Sequence, residues 1–229
     1  MINTRSVVIP VFLAVLFMPL IYAQDLSSYR GFQLGMNLPA VANKADMKPS
    51  EAKVIYQRPA VIQELDWRPP RTYSPSAKGD PVREALFSFY NGELYRIVVS
   101  YDKEKTEGLT DEDMIESISA KYGTPTTPVA KIISSSPSQV YNDSEKVIAR
   151  WEDAQYSFSL FRFSYGSAPG MLVLSKRLDA LAQVAIVEAI RLNEQEAPQR
   201  EIDRQKKQDD EKLAAGQKAR PVNKENFRP

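Results

Sequence analysis

The patterning of the chain predicts an α+β fold, an antiparallel sheet built from hairpins with helices packed on it. Three observations predict it. Two segments rich in aromatic and β-branched residues flank Asn91-Gly92, a second alternating pair meets at Asp153-Ala154, and Thr110 to Tyr122 carries apolar residues at helical spacing behind a capping signal. No cysteine occurs in the 229 residues, so disulfides and thiolate chemistry are excluded and the fold rests on its core alone.

Residues 1–23 read as a secretory signal peptide. Arg5 precedes an uncharged apolar run from Val7 to Tyr22, and Ile21-Tyr22-Ala23 places a small residue where signal peptidase cuts. The run is shorter than the roughly 20 residues that span a bilayer, and Pro19 would break a helix there. The expected product is exported, periplasmic or secreted, and touches a membrane only if the segment stays uncleaved. Loss of Arg5 takes the formal charge from +1 to 0, which implies no nucleic-acid partner.

Within residues 24–192, Gly31 to Met36 reads as an extended segment, followed by a short helix capped by Asn37 with Pro39 in its first turn. Val61 to Trp67 is a candidate strand. Glu84–Tyr90 and Glu93–Tyr101 form a hairpin through Asn91-Gly92, because a type I′ turn needs positive φ at both positions. Strict alternation puts Leu86, Tyr90, Tyr95, Ile97 and Val99 on one face and Phe87, Phe89, Leu94 and Val98 on the other, so both faces need covering.

Thr110 and Asp113 have capping-box spacing, Met114, Ile115, Ile118 and Tyr122 line one side, and Gly123 with Pro125 ends the helix expected over 111–122. The acids Asp111, Glu112 and Asp113 suit the positive end of that helix better than a calcium site. After a loop in which Val129–Ile133 could pair as a strand, Lys146–Phe163 reads as a hairpin. A two-residue turn at Asp153-Ala154 aligns Trp151 with Tyr156, Ala149 with Phe158 and Val147 with Leu160 on a core face, opposite a wet face with Arg150, Glu152, Ser157 and Ser159. Met171–Leu174 is a further short strand, and Leu178–Leu192 a helix apolar on more than one side, which predicts deep packing. The order suggests two diverged α-β-β-β units, 29–102 and 109–192. Residues 193–229 form a polar tail of mixed charge, disordered or helical, with Pro198 marking a break or kink.

Phe32-x-Leu34-Gly35-Met36 followed by Val41, together with Ile118 through Tyr122-Gly123-Thr124-Pro125, resembles small bacterial envelope domains of the BamE/SmpA type. In those domains a helical portion precedes a three-stranded antiparallel sheet. The resemblance implies an envelope scaffold or interaction domain and carries over no site residue. The chain departs from the pattern in having no acylated cysteine.

Histidine is also absent, which removes the usual neutral-pH base and the commonest metal ligand. No catalytic, metal or cofactor residue is singled out. The Ser-x-x-Lys spacings at Ser50/Lys53 and Ser100/Lys103 are no more than composition produces by chance. Aromatics on or beside the predicted sheet, Tyr90, Tyr95, Tyr101, Phe161, Phe163 and Tyr165, are the candidate binding surface, although core packing explains such residues too. The expectation is an exported noncatalytic envelope protein that binds an unknown protein or ligand across its sheet or through its tail. The alternative is an unusual extracytoplasmic hydrolase or transferase using carboxylate or tyrosine chemistry. Partner identity and oligomeric state do not follow from the sequence.

Overall fold

The computed structural model describes residues 25–70, 80–126, 146–163, 168–226 and 228; the leader reading of 1–23, the strand reading of Val129–Ile133 and the candidate Tyr165 lie outside them. Its elements are the two-residue strands β1 (Ser28–Tyr29) and β2 (Phe32–Gln33), helix α1 (Leu38–Lys44), a 3-10 turn over Pro49–Glu51, strands β3 (Lys53–Tyr56), β4 (Ile62–Trp67), β5 (Val82–Tyr90) and β6 (Glu93–Tyr101), helix α2 (Asp111–Tyr122), strands β7 (Lys146–Glu152), β8 (Tyr156–Arg162) and β9 (Pro169–Ser175), and helix α3 (Lys176–Asn226). The fold is α+β. One seven-stranded antiparallel sheet runs β3-β4-β5-β6-β9-β8-β7, beside a two-stranded β1-β2 ribbon.

This order has an internal symmetry. A meander β4-β5-β6 follows α1, a second meander β7-β8-β9 follows α2, and the last strands of the two, β6 and β9, pair antiparallel at the centre from Arg96↔Leu174 to Ser100↔Gly170. Both helices cover the same face. Leu38 and Val41 of α1 and Met114 and Tyr122 of α2 pack there with Phe87, Phe89, Ile97, Trp151, Phe158 and Val173.

Local signals explain the boundaries. The Asn37 side chain accepts from the Ala40 backbone N–H at 2.9 Å, and Thr110 and Asp113 exchange the two bonds of a capping box. Asn91 and Gly92 take φ of 49° and 83°, closing the β5–β6 turn. Gly35 N–H donates to the Leu94 carbonyl at 2.7 Å and Leu94 N–H to the Met36 carbonyl at 2.8 Å, which sews the chain before α1 onto β6.

Three expectations about facing and register need correction. In β6, Ser88 pairs with Arg96 and Phe89 with Leu94, so Tyr95 is an extra, bulged residue. Beyond the bulge the alternation inverts: Ile97 and Val99 join Leu94 in the main core, whereas Val98 faces the other side with Leu86. In the later hairpin Trp151 pairs with Phe158 and Ala149 with Leu160, two residues out of the expected register. Asp153 causes the slip, because its Oδ1 accepts from the N–H groups of both Gln155 and Tyr156 at 2.7 Å and widens the turn. A shift of two leaves the faces unchanged. The third concerns α3, which is not deeply packed: Val184 and Val187 are 72% and 67% exposed.

Candidate interaction surface

Helix α3 starts directly from β9. The Lys176 backbone N–H donates to the Gln155 carbonyl at 2.8 Å, and its Nζ reaches the Asp153 carbonyl at 2.7 Å and Glu152 at 2.9 Å, so the turn of the β7–β8 hairpin anchors the first helical residue. One face of the helix then packs on the sheet. Leu178, Ala182 and Ile186 meet Ile62 and Tyr95, with Ile55, Tyr56 and Tyr90 at the margin.

The bulge in β6 sets the strongest anchor. It aims Arg96, whose side chain is only 5% exposed, at the first turn of α3, where Nη2 and Nε donate to Asp179 Oδ1 at 2.6 and 3.1 Å. Asp179 also sits at the positive end of the helix, so the carboxylate is held twice over. Burial pushes the neighbouring Tyr95 hydroxyl up to about 12, a shift that the Arg96 charge opposes.

Beyond Leu192 the helix leaves the domain. Every residue from Ala197 to Asn226 is exposed, and the contact made with the domain near the exit is an ion pair between Arg58 and Glu196 at 2.7 Å. At 1.5 Å per residue the 51 residues of α3 extend about 76 Å. Pro198 does not end the helix. Near it, the Asn193 carbonyl accepts from Arg200 Nη2 at 2.7 Å, one residue before the Glu194 carbonyl, which a proline has no N–H to serve. Side-chain pairs one turn apart, Glu188–Arg191 at 2.5 Å and Glu201–Arg204 at 2.7 Å, support the polar stretch.

The outward side of α3 carries apolar groups. Val184, Val187, Ile202 and Leu213, 72%, 67%, 58% and 65% exposed, fall within a sector of about 80° at 3.6 residues per turn. This sector lies opposite the buried stripe of Leu178, Ala182, Ala185, Ile186 and Ala189.

The candidate aromatics are divided by the structure. Tyr90 and Tyr95 pack under α3. Phe161 and Phe163 stack edge-on at 4.9 Å farther along the same sheet face, Phe161 fully buried and Phe163 half-buried, with the Phe161 ring lying where a side chain at Gly170 would stand. Tyr101 belongs to the opposite face, where its hydroxyl meets that of Tyr29 at 3.1 Å and Tyr122 donates to the Ser28 carbonyl at 3.2 Å. Burial raises the Tyr29, Tyr101 and Tyr122 hydroxyls, the last to about 12. Of the acids in the first turn of α2, Asp113 is the capping partner and Asp111 pairs with Arg162 of β8 at 2.6 Å, so both have structural work. Sequence reasoning missed the outward stripe of α3 because helical periodicity shows which residues are apolar and not which side of the helix meets the sheet.

Residues 27–166 match the family model described as the TP0088 domain. The chain belongs to the TP0088 domain family. The matched residues of the TP0088 domain take in β1–β8 with α1 and α2 and stop before β9 and α3, although β9 fills the centre of the sheet between β6 and β8. Comparison with curated proteins and with solved structures gives no match. Among the described residues no helix is long and apolar enough to cross a membrane.

Proposed function

We propose that this protein is an exported, noncatalytic interaction module of the bacterial envelope, in which the αβ domain is the base and α3 the element that meets a partner. One observation carries the reading: α3 is ion-paired and packed onto the sheet at its start and exposed over its last thirty residues. A helix exposed on every side and built from mixed charges is suited to bridging or docking rather than to core formation. Absence of histidine and cysteine supports a role without catalysis, and the BamE/SmpA-like sequence around Leu34-Gly35-Met36 supports the envelope.

The reading has two tests. Mass spectrometry of the protein recovered from cells should find its N-terminus at or near Gln24, and a cytoplasmic product retaining residues 1–23 would overturn export. Affinity capture from the native envelope should recover a partner with the full chain and lose it when the chain stops after Leu192. Equal recovery by both would remove α3 from the reading and return attention to the half-exposed sheet margin at Phe163.

A further inference from the structure

We infer that α3 pairs antiparallel with α3 of a second copy of this chain, along the outward stripe and about a two-fold axis at Arg200. The inference rests on the reading of α3 as the interaction element and names its partner.

Three features of the helix select a second copy. The first is charge. Residues 193–203 carry four carboxylates against Arg200, a net of −3, whereas 204–226 carry seven cations against four carboxylates, a net of +3. About an axis at residue 200, antiparallel pairing lays residues 204–207, net +3, on residues 193–196, net −2, and parallel pairing opposes like with like there.

The second feature is the spacing of the stripe. The outward positions are Ala180, Val184, Val187, Arg191, Gln195, Pro198, Ile202, Gln205, Asp209, Leu213, Gly216 and Arg220. Their steps read the same in both directions about residue 200, so the stripe superposes on itself when one helix is reversed. In that register Val187 lies level with Leu213, Val184 with Gly216 and Pro198 with Ile202. Gln195 lies level with Gln205 and Arg191 stands directly opposite Asp209, twice by symmetry, and a complementary charged pair in the seam fixes one register among the alternatives. Recurrence at eleven residues, as in Ala180, Arg191, Ile202 and Leu213, keeps the seam on one side of the helix.

Length is the third. The axis falls within one residue of the midpoint of Lys176–Asn226, so the two helices overlap completely and the distal arm of one copy covers Val184 and Val187 of the other. That arm approaches from the side of α3 away from the sheet, where Val184 and Val187 are exposed among the described residues.

Sedimentation of the protein as the cell produces it should give a dimer that weakens with salt. Val184→Asp with Val187→Asp should weaken dimerisation about tenfold or more with an unchanged circular dichroism spectrum. Arg191→Asp and Asp209→Arg should each do the same, and the double swap should restore the dimer although it does not restore the Glu188–Arg191 pair. The chain has no cysteine, so single replacements report register cleanly. A mixture of Arg191→Cys and Asp209→Cys proteins should form a disulfide-linked dimer on oxidation, and Arg191→Cys alone should not, its two sulfurs lying about 27 Å apart along the axis. A monomer at every accessible concentration, failure of the double swap, or self-linking of Arg191→Cys would each overturn antiparallel self-pairing. A monomer whose α3 still captures an envelope partner would overturn the self-pairing alone and leave the interaction reading standing.

Discussion

The two meanders that meet at β6 and β9 differ in what lies on the face turned away from α1 and α2. In β4-β5-β6 that face presents Ile62, Tyr90, Tyr95 and Arg96, and α3 covers them. In β7-β8 the corresponding positions are polar, Glu152, Arg150, Ser157 and Ser159, with Lys176 of α3 ion-paired to Glu152 and Arg150 Nε donating to the buried Ser159 hydroxyl at 3.3 Å. The same α-β-β-β order therefore yields a three-layer half and a two-layer half. Side-chain polarity on one face decides which half receives the body of the final helix, because apolar strand positions need apolar cover, whereas the buried Ser159 hydroxyl is met by the polar neighbour Arg150. Loss of a core residue should accordingly cost most in the two-layer half, where the face toward α1 and α2 carries most of the packing, and loss of an anchor should matter most in the three-layer half.

Trp151 tests the first statement and carries the largest expected effect. Its ring is buried between β7 and α2, and its Nε1–H donates to the Gly123 carbonyl at 2.7 Å, which ties the end of α2 to the sheet. Trp151→Ala should cost about 3–5 kcal/mol of unfolding free energy, measured by denaturant titration. An unchanged midpoint and slope would mean that the two-layer half contributes little to the cooperative core.

Asp179 tests the second. Asp179→Ala removes the carboxylate to which Arg96 is tied beneath α3, and loss of one member of a buried pair should cost about 3 kcal/mol. Hydrogen exchange should rise in 176–192 and in β4–β6 while β7 and β8 stay protected. Uniform loss of protection across both meanders would show that α3 stabilises the whole sheet and that the contrast between the halves is one of composition only.

The face shared by both halves should respond to alkali. Tyr29 and Tyr122 are buried there and Tyr101 is half-buried, and burial raises all three hydroxyls above the ordinary tyrosine value near 10. A raised pKa in the folded state means that folding favours the neutral phenol. The contribution is fully present below pH ~10 and is lost as pH rises from there through about 12, the Tyr122 value. The denaturation midpoint should thus be insensitive to these groups up to pH ~10 and fall above it. Tyr101→Phe, which removes the hydroxyl bonded to Tyr29, should make the fall shallower, and an identical alkaline profile would place the sensitivity elsewhere.

How much of this architecture was legible in the sequence depends on how local each cause is. Capping at Asn37, Thr110 and Asp113 and the Asn91-Gly92 turn involve residues within a turn of one another, and each is where its signal puts it. Bulging at Tyr95 is not local: it follows from pairing with β5 on one side and β9 on the other, and it inverted the expected facing of Ile97, Val98 and Val99. Strand β3 was missed because four residues bounded by Ala52 and Gln57 give too short an alternation to stand out. At the candidate surface, aromatic enrichment marked the sheet without separating its two faces, so Tyr101 was grouped with residues from which the sheet divides it. The outward valines of α3 were read as core for the same reason. Polarity is written in the sequence, and the side that meets a neighbour is set by the neighbour.

The smallest expected effect belongs to the exposed part of α3. Ending the chain after Leu192 removes residues that form no part of either meander or their cores, together with the exposed Arg58–Glu196 pair, which water screens. Leu178, Ala182, Ile186 and the Arg96–Asp179 pair all remain, so the contrast between three-layer and two-layer halves should survive intact. At dilutions where α3 is unpaired, the shortened chain should unfold cooperatively within about 0.5 kcal/mol of the full one, because surface changes away from packed or charged clusters have effects of that size. At higher concentration the full chain alone should gain stability, since pairing stabilises the folded state by mass action and the shortened chain lacks the stripe. A broad or shifted transition at high dilution would show that the exposed helix is part of the domain's own stability, and the division of α3 into a packed start and a free remainder would then be wrong.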